Sequence, residues 1–137
     1  MKYVLDSSVS AKWVLPESDS AKALEFREDL RAKMHECIAP DTFPAEIGHA
    51  IAKAERQGRV SKADGFSLWM EVMADCPHLF PYLPLMPRAY ALASQARIGL
   101  YDCLFVALSE QEQCEVVSAD QRLVNKFPGQ VVPLASL

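Results

Sequence analysis

The sequence predicts a three-layer α/β/α domain with a mainly parallel central sheet. Three observations carry this prediction. Short apolar runs alternate with amphipathic helical stretches along the chain, as crossover helices between parallel strands require. The 137 residues suit one core and would be a squeeze for two, so residues 1–137 are expected to form a single domain. Half of the residues are apolar and 23% are charged, which is globular composition and excludes a disordered chain, a fibre or a long coiled coil.

The elements follow in order. Lys2-Tyr3-Val4-Leu5-Asp6 reads as a first strand. Ser7 and Ser8 offer N-cap hydroxyls for a short helix through Ala11, Trp13 and Val14, stopped by Pro16. Ser18 or Asp19 caps a second helix, with Ala23, Phe26, Leu30 and Lys33 on one stripe. Cys37-Ile38-Ala39, closed by Pro40, is too short for a helix and reads as a second strand.

Ile47, Ala50, Ile51 and Ala54 then give a full amphipathic stripe, with Pro44 in the first turn and Gly58 as the C′ residue. Ser61 is expected to open a fourth helix carrying Ala63, Phe66, Met70 and Met73 on one face. The stretch from Thr42 to Asp75 should therefore pack as a helical hairpin against the sheet. Leu79–Leu83 is a strand that Pro81 and Pro84 confine to an edge. Pro87 begins a helix through Ala89, Leu92, Ala93 and Ala96, with Gly99 as its stop. Cys103–Leu108 is apolar all round and marks a buried central helix. Glu115–Ser118 is a strand, Asp120–Phe127 a short helix, and Val131-Val132 the last strand.

No apolar run is long enough to span a bilayer, and Asp6 and Lys12 interrupt the apolar N-terminus. The expected location is the cytoplasm, with no membrane partner. Cys37, Cys76, Cys103 and Cys114 form no C-x-x-C pair and read as free thiols. The formal charge of −4, from 14 bases and 18 acids, argues weakly by itself against a nucleic-acid partner.

The placement of the acids is more informative. Asp6 ends the first strand, Glu46 lies in the first turn of the third helix, Asp102 opens the buried helix, and Asp120 follows the strand ending at Ser118. In an open parallel sheet, all four positions lie at the crevice beyond the carboxyl ends of the strands, where ligands bind. Each acid alone is a good helix-start residue. Serine or threonine would cap equally well, yet carboxylates recur, and no lysine or arginine adjoins any of them in sequence. Two carboxylates about 4 Å apart repel by roughly 4 kcal/mol at an effective dielectric of 20. Hard divalent ions such as Mg²⁺ or Mn²⁺ are the natural counter-charge, and such a cage can activate water against a phosphodiester.

Leu5-Asp6-Ser7-Ser8, Pro40–Ala50 with Glu46, Leu100–Leu108 with Asp102, and Ser118-Ala119-Asp120 together closely resemble PIN-domain ribonucleases. The length and element order resemble the small VapC-type toxins in particular. Each motif is short, and their specificity comes from the four occurring in order over essentially the whole chain. The resemblance implies a metal-dependent endoribonuclease, the toxin of a toxin–antitoxin pair. It also implies an RNA substrate such as tRNA, a cognate antitoxin and a homodimer.

Carried over by position, Asp6, Glu46, Asp102 and Asp120 are the catalytic and metal-site acids, with Mg²⁺ or Mn²⁺ as the ion. Ser8 matches the small polar residue that holds the first acid, and Ser118 the hydroxyl residue beside the site. His49 departs from the pattern, which commonly has asparagine there. One turn after Glu46, it is placed to orient that acid, to touch RNA or to form the rim.

Neutralising the four acids leaves 14 acids against 14 bases. Lys53, Arg56, Arg59 and Lys62 form a basic stretch, and Arg97, Arg122 and Lys126 are further candidates for the RNA backbone. Other α/β readings fit less well. A response-regulator receiver would need a second acid beside Asp6 and a late lysine, and a phosphoaspartate phosphatase would need Asp-x-Asp where Asp6-Ser7-Ser8 stands. Nucleotide-binding glycine loops are absent. The alternatives within the fold are a catalytically idle PIN-like binding module and a nuclease acting on single-stranded DNA. On the fourth helix Trp69 spills beyond the apolar face, where an exposed aromatic would mark a dimer contact.

Overall fold

The computed structural model describes residues 1–137. Five strands, β1 (Lys2–Leu5), β2 (Glu36–Pro40), β3 (His78–Phe80), β4 (Glu115–Ser118) and β5 (Val131–Pro133), form one sheet in the order β3-β2-β1-β4-β5. Every pairing is parallel, so the sheet is entirely and not just mainly parallel. β1 is central, with Val4 opposite Ile38 of β2 and Val116 of β4. Its Val4 and Leu5 are fully buried, as expected of a strand covered on both faces. β3 is the edge strand that the prolines foretold, displaced to His78–Phe80 because Pro81 ends it.

Seven helices connect the strands: α1 (Ser7–Ala11), α2 (Ser20–Arg31), α3 (Phe43–Arg56), α4 (Gly65–Met73), α5 (Met86–Ala96), α6 (Leu100–Glu112) and α7 (Gln121–Lys126). The chain steps outward from β1 to β3, then reverses to β4 and β5. The right-handed crossover rule for parallel strands puts α1–α4 on one face and α5–α7 on the other, in keeping with the packing of α1 on α3 and of α5 on α6. The reversal makes a switch point between the carboxyl ends of β1 and β4.

α6 packs across β1, β2 and β4, and everything from Cys103 to Ser109 is buried. α3 buries Phe43, Ile47, Ile51 and Ala54, and packs on α4 as the expected hairpin. The buried Arg27 guanidinium fastens α2 to the end of α4. It pairs with Asp75 at 2.8 Å, donates to the Glu71 carbonyl and lies over the Trp13 ring.

Several local expectations are corrected. The N-cap of α1 is Asp6; Ser7 and Ser8 are already helical, and the Ser8 hydroxyl turns back to the Asp6 carboxylate. Asp19 precedes α2 in a left-handed conformation without a side-chain cap, and Lys33 lies past the helix end. α4 starts at Gly65, since Ser61–Asp64 is closed as a turn by the Ser61 hydroxyl on Asp64. The Glu55 carboxylate reaches within 2.7 Å of where a Gly65 Cβ would sit, so a larger residue there would push that flexible side chain aside.

The face of α4 is also rotated from expectation. Phe66 and Met70 are 69% and 51% exposed, whereas Val72 is buried and Trp69 half-buried. The Trp69 indole donates to the Pro44 carbonyl at 2.9 Å, which holds it against α3. α5 ends at left-handed Arg97, and Gly99 is the N-cap of α6. The four cysteines are free. No single helix is long and apolar enough to cross a membrane.

Candidate active site

β1 delivers Asp6 to the switch point, where it is 3% exposed. Its backbone N–H still donates to Val117 of β4 at 3.1 Å, so the sheet ladder sets its position. Its Oδ2 accepts from Ser8 at 2.6 Å and from Ser118 at 2.7 Å. These hydroxyls also accept backbone N–H groups, Ser8 from Ala119 and Ser118 from Asp120, each at 3.0 Å. The two serines thus tie the ends of β1 and β4 into one unit around a buried carboxylate.

The other acids arrive on helix starts. Glu46 stands in the first turn of α3, where its Oε2 accepts from the Thr42 hydroxyl at 2.9 Å. Asp102 stands in the first turn of α6. Asp120 is the N-cap of α7 and accepts the Arg122 N–H at 3.0 Å.

The electrostatics show that the four share one region. Burial pushes Asp6 up to about 6; the Ser8 and Ser118 hydrogen bonds oppose this, and the charges of Asp102 and Asp120 add to it. Burial pushes Glu46 further, to about 8, against the Thr42 hydrogen bond and with help from the Asp6 and Asp102 charges. Asp102 is raised by burial and by Asp120, and Arg122 pulls it back.

Arg122 corrects the expectation that no base attends the acids. Its Nη2 lies 3.5 Å from Asp102 and 3.8 Å from Asp120, bridging the starts of α6 and α7. Sequence reading placed it among the RNA-backbone candidates and missed this role, because the pair spans two helices. Thr42 was missed as well, although its place four residues before Glu46 put it on the same side of α3. His49 is exposed and its ring has no hydrogen-bond partner, so it does not orient Glu46.

No three acidic, histidine or cysteine side chains are gathered tightly enough to close on a metal ion as they stand. The donor set nonetheless fits a hard divalent cation. Four carboxylates converge with a single guanidinium among them, and two are held well above their ordinary range by burial, with the neighbouring acid charges adding to it. Arg122 stands in as the cation between Asp102 and Asp120.

The comparisons agree with this architecture. The chain is 27% identical over 135 residues to ribonuclease VapC3 of Pyrobaculum aerophilum, covering 97% of this chain and all of that protein. The crystal structure of PAE2754 from Pyrobaculum aerophilum superposes with a TM-score of 0.71 at 20% identity, covering 99% of this chain and 94% of the other, a likeness of fold. The sequence profile of the PIN domain matches residues 3–127, and over that span the chain belongs to the PIN-domain family.

Proposed function

We propose that this protein is a Mg²⁺- or Mn²⁺-dependent endoribonuclease that acts as the toxin of a toxin–antitoxin pair. One observation carries the reading. Asp6 is buried at the switch point, held by two serine hydroxyls instead of a basic side chain, with Glu46, Asp102 and Asp120 facing the same region. A merely structural aspartate in that place would be expected to have a cation or to be replaced by a neutral residue.

Asp6, Glu46, Asp102 and Asp120 would hold the ion, which when bound supplies a Lewis acid and an activated water for phosphodiester hydrolysis. The chain's own part is positional. Ser8 and Ser118 fix the rotamer of Asp6, so that its free oxygen is presented at the crevice. Thr42 does the same for Glu46. Ser118 also holds the backbone N–H of Asp120, so a single hydroxyl sets two of the acids.

The relative's name supports RNA as the substrate; structured RNA such as tRNA as the target and a cognate antitoxin as partner follow from the resemblance to the small VapC-type toxins. A homodimer and a cytoplasmic location belong to the same proposal. Purified protein incubated with end-labelled RNA should cut internally with Mg²⁺ or Mn²⁺ and stop in excess EDTA. Calcium should bind but support little turnover, because its looser coordination positions water poorly. Full cleavage in EDTA would overturn the metal-dependent reading.

A further inference from the structure

α3 has two flanks of different chemistry. One flank, with Gly48, Ile51, Ala52 and Glu55, lines a groove shared with Gly65, Phe66 and Trp69 at the start of α4. At about 100° per residue, Glu46, His49, Lys53 and Arg56 fall within an arc of about 80° on the other flank. His49, Lys53 and Arg56 are all exposed. No salt bridge engages Lys53 or Arg56, whereas Arg59 just beyond them is held by Glu17 at 3.0 Å and Arg122 by Asp102 and Asp120. Glu46 is the only acid on this flank, because Glu55 faces the groove. The neighbouring α1 carries no acid either.

We infer that this flank of α3 is the track for the substrate backbone, carrying a single strand of RNA away from the cleavage site past His49, Lys53 and Arg56. The inference rests on the proposed ribonuclease reading and adds the residues and the form of substrate. By helix rise, Lys53 lies about 10 Å and Arg56 about 15 Å beyond Glu46 along the axis, with His49 about 5 Å from it. Long side chains at those heights reach separate phosphates of one strand, and the unpaired state of Lys53 and Arg56 means that no ion pair is broken to bind them. The stripe is one side chain wide, which suits a single strand; a duplex would need a second row of bases across its groove. The track also explains how a chain of net charge −4 engages a polyanion: two of its bases without a salt bridge, Lys53 and Arg56, lie in line with the site.

The test is fluorescence anisotropy of a labelled single-stranded RNA in EDTA, across a salt series, beside the same RNA annealed to its complement. Lys53→Ala/Arg56→Ala should weaken single-strand binding at low salt at least tenfold. It should also flatten the dependence of log K on log salt by about 1.4, two phosphates at about 0.7 each. Lys33→Gln, an exposed unpaired base beyond the end of α2, should change neither. With metal present, the double variant should raise KM more than it lowers kcat, because it leaves the acids in place. If wild-type protein cuts RNA but the double variant binds with an unchanged salt slope, the track is wrong and the nuclease reading stands. If the duplex binds as tightly as the single strand and loses as much, the single-strand assignment is wrong. If wild-type protein neither binds nor cuts RNA, both fall.

Discussion

The Ser118 hydroxyl donates to Asp6 Oδ2 at 2.7 Å, joining side chains 112 residues apart at the ends of two neighbouring parallel strands. The same oxygen accepts the Asp120 N–H. Ser118→Ala should therefore have two separable effects. Losing the hydroxyl should cost about 1–2 kcal/mol, since it leaves a buried acceptor and a backbone donor short of a partner. Cleavage should fall by about 10–100-fold, the usual cost of removing a group that orients a metal ligand. Urea melts and initial cleavage rates check the two separately. Ser118→Thr, which keeps the hydroxyl, should restore much of the rate.

Arg122 offers a second test. Its guanidinium is the only cation near Asp102 and Asp120, and it is itself largely exposed. Exposed pairs contribute little, so Arg122→Ala should change metal-free stability by less than about 1 kcal/mol. It should tighten Mn²⁺ binding, because an ion entering between these acids no longer competes with a tethered positive charge. Titration calorimetry should show a lower Kd for the variant. A weaker affinity would mean that Arg122 supports the ion site instead of standing in for the ion.

Much of this was legible in the sequence because it is local. The strand ends that carry Asp6 and Ser118, and the helix starts that carry Glu46, Asp102 and Asp120, are each marked by periodicity and by the change from apolar to polar residues. The parallel topology then brings them to one side. What escaped reading depends on contacts between elements. Arg122 meets Asp102 only because α6 and α7 begin side by side. The orientation of α4 is set by one indole hydrogen bond to the Pro44 carbonyl and by the turn at Ser61–Asp64, and the pattern Phe66, Met70, Met73 contains neither.

That rotation of α4 predicts a contrast between neighbours. Trp69 packs on Gly48, with 3.7 Å from its ring to the Cβ position there, and stacks on Phe66. Trp69→Ala should destabilise the monomer by about 2–3 kcal/mol, below the range for a fully buried tryptophan. Phe66→Ser should stay within about 0.5 kcal/mol in a monomer, because the ring is mostly in water. If the exposed pair Phe66 and Met70 is the contact of the proposed homodimer, light scattering should show a dimer for wild-type protein and a monomer for Phe66→Ser. A wild-type monomer at micromolar concentration would remove the dimer from the proposal.

The strongest prediction concerns pH, because the site acids are held away from their ordinary behaviour. Asp6 is pushed from 3.8 to about 6 and Glu46 from 4.5 to about 8. Both therefore keep their protons in the folded chain after the unfolded chain has lost them. Stability falls wherever the folded state binds more protons than the unfolded state. Metal-free protein should lose stability steadily from about pH 4 to about pH 8, by on the order of a few kcal/mol, and then level off. Asp6→Asn removes the lower part of this fall and Glu46→Gln the upper part. Near pH 7 in EDTA, Asp6→Asn should melt no lower than wild-type protein, since a charge leaves a crowded acidic region and the amide oxygen can still accept from Ser8 and Ser118. The same variant should abolish cleavage. Added Mn²⁺ should raise the wild-type midpoint more than the variant's, and increasingly so at higher pH, because the ion binds the ionised, folded site. A metal-free wild-type protein that grows more stable between pH 5 and 8, or an Asp6→Asn protein that still cuts RNA, would show that Asp6 is an ordinary structural carboxylate.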